Sequence, residues 1–108
     1  MSRRRRRALP KAFTLDAEVV VNNTLSDALT VVEVSGLDRP GLLYELTSAL
    51  SDLGLDINSA HITTYGEKAV DVFYVTDLAQ RKVSGDAREA EIRTRLAAVL
   101  SGGADAGG

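Results

Sequence analysis

The chain has no cysteine and no tryptophan, and its 108 residues include only two prolines and one histidine, His61. Without thiols there is no disulfide framework, thiolate metal site or thiol nucleophile, and a single imidazole puts the ordinary zinc ligand sets out of reach. Aromatic residues make up 5% of the chain, too few for the stacking platforms that hold single-stranded nucleic acid. No apolar run approaches the roughly 18 residues that a membrane-spanning helix requires. The basic N-terminus is not followed by the apolar stretch of a secretory signal. These absences lead to the expectation of a cytoplasmic protein with neither membrane nor cofactor as partner. Hydrophobic residues still form 44% of the sequence, so the core is aliphatic, and at this length it belongs to one domain.

Charge is spread unevenly. The net value is −2, but Arg3, Arg4, Arg5, Arg6, Arg7 and Lys11 supply six of the 13 basic residues, leaving seven bases to face 15 acids elsewhere. So acidic a body repels a phosphate backbone, and any nucleic-acid affinity would belong to the arm alone. Residues 1–12 read as a basic arm or linker, 13–100 as the folded domain, and 101–108, rich in Gly and Ala, as a flexible tail.

Between arm and tail the pattern is dense. Val19, Val20 and Val21 form a β-branched run closed by Asn22 and Asn23, which suits a strand ending in a turn. Residues 29–34 read as a second strand, antiparallel to the first because the connection is short. Pro40 opens a helix: proline fits the first helical position and pushes Arg39 out to the cap. Leu43, Leu46, Leu50 and Leu53, flanked by Leu42 and Ala49, form the buried stripe of that helix, and Gly54 ends it as a left-handed cap. Residues 57–65 and 68–77, separated by Gly66 and Glu67, make a hairpin. A second helix over 86–100 starts with capping-box spacing at Asp86 and Glu89, buries Ile92, Leu96 and Val99, and stops at Gly102. Glu89 with Arg93 and Glu91 with Arg95 stand at i,i+4 on its wet side.

The order β-β-α-β-β-α predicts an α+β sandwich, both helices on one face of a four-stranded antiparallel sheet, with a right-handed connection across the first helix. Val31, Val32 and Val34, with Val72, Phe73, Tyr74 and Val75, leave both sheet faces largely apolar, so a partner is expected on the open face, over Tyr65 and Tyr74.

Two segments stand out chemically. The turn Gly36-Leu37-Asp38-Arg39-Pro40-Gly41-Leu42-Leu43 joins a strand to a helix. It offers the helix-start amides of Gly41, Leu42 and Leu43 beside a residue without a side chain. A carboxylate suits those amides, and Asp38 suits an ammonium group, so an amino acid fits the pair; alternatively Asp38 simply caps the helix. The second segment is Gly54-Leu55-Asp56-Ile57-Asn58, whose alternation points Asp56 and Asn58 one way, toward a polar ligand, a neighbouring loop, or nothing more than their own turn. His61, between Ala60 and Ile62, is either a satisfied strand residue or a pH gate. No nucleophile and base, metal cluster or phosphate loop stands at usable spacing, so no catalytic residue is expected.

Residues 29–77, with DRPGLLYELTSALSDLGLDINSAHITTYGEKAVDVFYVTD inside them, resemble the ACT domain. More narrowly, EVVVNN, TVVEVSGLDRPGLLYEL and AHITTYGEKAVDVFYVTDL are similar to the C-terminal ACT domains of bacterial PII-protein uridylyltransferase/uridylyl-removing enzymes. The resemblance spans roughly residues 12–100. It implies a ferredoxin-like fold of usual order β-α-β-β-α-β. This chain departs from that order, and the strand at 19–21 is expected to fill the vacant edge. It also implies a regulatory module that senses glutamine at the interface of paired ACT domains, cut off from its bifunctional parent enzyme. Neither a paired-Asp nucleotidyltransferase signature nor a His-Asp metal pair is found. The ligand set carried over is Asp38, Arg39, Gly41, Leu42 and Leu43 from one domain and Asp56, Ile57 and Asn58 from its neighbour. ACT domains often have Asn where this chain has Asp38 and Asp56.

Overall fold

The computed structural model describes residues 17–102; the basic arm, the start of the domain at 13–16 and the tail beyond Gly102 lie outside them. Six elements follow in the expected order: β1 (Glu18–Asn22), β2 (Thr30–Leu37), α1 (Leu42–Asp52), β3 (Leu55–Tyr65), β4 (Lys68–Asp77) and α2 (Asp86–Leu100). The four strands form one sheet in the order β1-β2-β4-β3, antiparallel at every junction. The chain thus folds as a ferredoxin-like α+β sandwich, with β1 on the edge beside β2.

Period-two alternation sorts the sheet into two faces. Ala69, Phe73 and Val75 of β4 lie opposite Gly36, Val32 and Thr30 of β2, and Val19 and Val21 of β1 opposite Val34 and Val32. This face meets the helices. Val32, Val34, Phe73 and Val75 are buried against Leu42, Leu46, Ala49 and Leu50 of α1 and Ile92 and Leu96 of α2. Among the described residues the core is aliphatic around a single ring, Phe73, which is wholly inaccessible.

The helix stripe differs from the sequence pattern at its start. Helix α1 begins at Leu42, and its N-cap is Gly41 in a left-handed conformation, φ 81°. Pro40 and Gly41 form a turn instead of the first helical residues. Leu42, not Leu43, joins Leu46, Ala49 and Leu50 on the buried face: Leu42 is 3% exposed and Leu43 44%. The stop is as expected, with Gly54 left-handed at φ 78° and its amide donating to the Ser51 carbonyl at 2.9 Å. Helix α2 spans the expected residues, but no capping box forms. Its N-cap is Gly85, without a side-chain hydrogen bond, and Glu89 instead accepts from Asn23 Nδ2 at 3.0 Å. Of the two expected pairs on α2, Glu89 and Arg93 meet at 3.9 Å. Arg95 turns to Asp52 of α1 at 2.9 Å and Glu91 to Arg88 at 2.9 Å.

The two turn asparagines divide their labour. Asn22 Oδ1 accepts the amides of Thr24 and Leu25 and closes the turn. Asn23 instead ties the segment after β4 to the sheet: its Nδ2 donates to the Val83 carbonyl at 2.8 Å, its Oδ1 accepts from Thr30 Oγ1 at 2.6 Å, and its carbonyl accepts from Lys82 Nζ at 2.7 Å. Thr30, fully buried, also accepts the Val83 amide at 2.8 Å, so its hydroxyl is satisfied inside the core.

The α1 register makes a direct test. Leu46→Ala should cost about 2–5 kcal/mol, as for a fully buried leucine, while Leu43→Ala should stay within about 1 kcal/mol. Urea unfolding of the two variants checks this, and equal losses would place both leucines in the core.

Candidate functional site

The bend between β2 and α1 is built on backbone. The Asp38 amide donates to the Glu67 carbonyl at 2.8 Å, anchoring the bend to the β3–β4 hairpin turn, and the Leu42 amide donates to the Arg39 carbonyl at 3.1 Å. The Leu42 amide is therefore engaged within the turn, contrary to the expectation that it faces a ligand. The amides of Gly41 and Leu43 have no acceptor among the described residues. Asp38 does not cap α1, since no side chain bonds to its first turn; Asp38 is exposed beside it. A Cβ at Gly41 would meet only Glu45 Oε2, at 3.9 Å, so the space over the bend is open and the glycine is required by its positive φ.

Arg39 closes the bend from behind. Its guanidinium holds Glu45 through two hydrogen bonds, 3.0 and 2.9 Å, and also donates to the Val99 carbonyl near the end of α2 at 2.8 Å. That fork is the favoured geometry for a carboxylate. The Arg39 hydrogen bond, reinforced by its charge, holds the Glu45 carboxyl below the usual glutamate range. Arg39 thus acts as a brace from the bend to both helices.

The second segment lies elsewhere. Leu37 at the bend pairs with Lys68, the first residue of β4, whereas Leu55 pairs with Asp77, the last. Nine residues of strand separate them, about 30 Å. Within one chain the bend and the Asp56 corner are at opposite ends of the sheet. At the corner, Asp56 lies opposite Thr76 and Ile57 opposite Val75, and the register then shifts between Ile57 and Ser59. Asn58 is the extra residue of this bulge, which interrupts the alternation expected to align it with Asp56. Asp56 Oδ2 accepts from Gln80 Nε2 at 2.6 Å. Asn58 is exposed, and Ile57 is 37% exposed. Nearby, the Arg81 amide foremost, with that of Ala79, holds the Asp77 carboxyl below its usual range.

The sheet face away from the helices carries Val20, Val31, Val70, Val72 and Tyr74. Val31 is buried between its neighbours and Val20 is 38% exposed. His61 meets Tyr74 edge to face there, ring centroids 5.4 Å apart.

One residue near the bend escaped the motif reading. Asp71 faces inward, opposite Val34 on β2 and Ile62 on β3, and is only 2% exposed. One of its carboxylate oxygens is buried with no hydrogen-bond partner. Burial foremost, and the nearby Asp38 charge second, push its carboxyl above the usual aspartate range. The signal was present in the sequence: Asp71 shares the parity of Ala69, Phe73 and Val75, so a charge stands in phase with core residues.

Among the described residues no three His, Cys, Asp or Glu side chains cluster as metal ligands, and no helix is long and apolar enough to cross a membrane. A sandwich with an open, backbone-built bend at one end has the form of a small regulatory domain. The ACT domain family model matches residues 30–93, well over half of the sequence, and the chain belongs to the ACT domain family. The match begins at β2, so β1 lies outside it. Such domains are regulatory, non-catalytic modules that bind small molecules, amino acids among them, and often dimerise. A crystal structure of an unknown protein from Galdieria sulphuraria is similar, with a TM-score of 0.53 and 25% identity over 67% of this chain. The match covers 38% of that protein, so the present chain corresponds to less than half of it.

The Asp71 carboxyl gives a signed pH prediction. Its native proton affinity exceeds that of the unfolded chain, so its favourable contribution is complete below the ordinary aspartate range and is lost as pH rises through the raised value. Asp71→Asn should therefore stabilise the protein near neutrality by about 1 kcal/mol and have little effect near pH 3. Denaturant melts across that range check it, and a variant less stable at neutral pH than at acid pH, relative to wild type, contradicts it.

Proposed function

We propose that this chain is a glutamine-sensing regulatory module working in the cytoplasm, of the kind that controls a PII-protein uridylyltransferase/uridylyl-removing enzyme. The observation that carries the reading is the bend at residues 38–43. Its left-handed Gly41 leaves open space above unengaged amides, with the Asp38 carboxylate alongside. The ligand carboxylate takes the amides of Gly41 and Leu43, where the helix start favours negative charge, and its ammonium lies toward Asp38. Asp56, Ile57 and Asn58 come from a second copy. Two sheets stacked open face to open face with their β4 strands antiparallel bring each bend to the other's corner, an isologous arrangement that makes two equal sites. Glutamine then acts through its different affinities for two arrangements of the domains it joins, which is all that an allosteric ligand can do. The parentage rests on the sequence resemblance, which spans both segments.

A second reading has its own support. Asp56 is already satisfied by Gln80 and the Leu42 amide by Arg39, which fits a module that associates through its apolar face and holds no ligand. Calorimetric titration with glutamine, with sedimentation of the same sample, separates the two. The sensing reading predicts saturable heat in a dimeric sample, lost in Gly41→Ala, and dimerisation strengthened by glutamine. A dimeric sample that gives no heat and sediments identically with and without glutamine favours association alone.

A further inference from the structure

Away from the bend, two adjoining hollows follow the seam between α1 and α2. The first, about 370 Å³, is lined by Tyr44, Ser48 and Ala49 of α1 and by Arg95, Ala98 and Val99 of α2. The second, about 470 Å³, shares Arg95 and Ala98 and continues to Thr94 and Ala90. Short side chains on both helices thus turn the seam into a groove. Its rim is apolar at one end, where Tyr44 is 74% exposed and Leu43 44%, and so much bare apolar surface beside a hollow marks a place that something covers. Toward the other end stand two carboxylates. Asp52 and Glu91 each meet one arginine at 2.9 Å, yet their side chains stay 63% and 55% exposed, and a carboxylate can accept from more than one guanidinium.

The chain itself supplies an occupant. Ala17, the first described residue, lies at the end of α2: a Cβ on Gly36 would meet Leu100 Cδ2 at 3.1 Å and the Ala17 Cα at 3.8 Å. Leu100 follows Val99 of the first hollow, so residues 1–16 join the domain beside that end of the groove. From Ala17 back to Phe13 the chain can span about 14 Å, enough to round the end of a helix about 10 Å across. From Phe13 back to Arg3 it can span about 33 Å, whereas the groove from Val99 to Ala90 is about 13 Å long. The chemistry agrees with the reach. Leu9, Phe13 and Leu15 bring apolar side chains, and Arg3–Arg7 with Lys11 bring six positive charges to a body that has 15 acids against seven bases.

We propose that residues 3–15 fold back on their own domain as a strap along the α1–α2 groove, Phe13 filling the hollow between Tyr44 and Val99 and the arginine run meeting Asp52 and Glu91. The ring fixes the position of the strap, and the guanidinium–carboxylate contacts hold its far end while remaining open to screening by salt. Glu45, gripped by Arg39, also lines the first hollow, so the strap abuts the brace that supports the bend. It covers the helical side and leaves the open sheet face to a second copy.

The absence of cysteine makes the test direct, because Ala8→Cys gives the full chain a single site for a nitroxide spin label. Amide signals are compared with the label oxidised and reduced. A strap docked most of the time should take at least about half the intensity from Ala90 and Thr94 in the groove, while His61 and Val72 on the open sheet face keep theirs. At about 1 M salt, where screening shortens to about 3 Å, the loss should shrink. Phe13→Ser should restore the groove signals. So should Ala98→Trp, which fills the hollow from an exposed position and leaves the core intact. Broadening spread evenly over both faces, centred on His61 and Val72, or undiminished in Ala98→Trp overturns the strap. Labelled chains mixed with isotope-enriched unlabelled ones give the last arm: groove broadening as strong there as within one chain assigns the arm to a neighbouring molecule and overturns it too.

Discussion

Strand β4 is hydrogen-bonded along both edges, to β2 over eight residue pairs and to β3 over ten, and every other feature takes its place from that double ladder. Its inward side chains set the core, with Phe73 at the centre. Its two ends set the geography of function, because the bend follows the strand paired with its start and the corner opens the strand paired with its finish. A ladder pinned on both sides cannot slip without turning its apolar side chains outward. The spacing between the two segments is therefore as rigid as the sheet itself.

That spacing gives the paired arrangement its force. Segments about 30 Å apart on one chain cannot grip one small ligand, yet in the two-fold pair proposed above each is the neighbour of its complement. A ligand held across such a junction stabilises the pair over the separate chains, and its coupling to any attached domain equals the difference in its affinity for the states it joins.

Much of this was legible in the residues. The valine runs, the Gly66-Glu67 turn and the 3.6-residue stripe of α2 gave strands and helices close to their observed bounds, because each is a local preference that the tertiary structure endorses. The misreadings have several causes. Pro40 looked like a helix start, but the left-handed Gly41 delays α1 to Leu42 and moves Leu43 into solvent. Glu89 looked like half of a capping box, but Asn23 claims it across 66 residues. Asn58 lost its phase with Asp56 to a bulge that no spacing rule announces. Asp71 passed unnoticed because VDVFYV reads as a two-faced apolar strand until the parity of its one charge is fixed by Phe73 two residues on.

The dependence of the site on two chains is the centre of this account, and complementation measures it most directly. A bend variant, Gly41→Ala, and a corner variant, Asp56→Ala with Asn58→Ala, are titrated with glutamine separately and after mixing and re-equilibration. Each alone should bind nothing, and the mixture should recover roughly a quarter of the wild-type capacity, since half of randomly formed pairs are mixed and each mixed pair has one intact site of two. A mixture that forms mixed pairs yet stays silent, or a monomeric wild type that binds glutamine at full capacity, would contradict it.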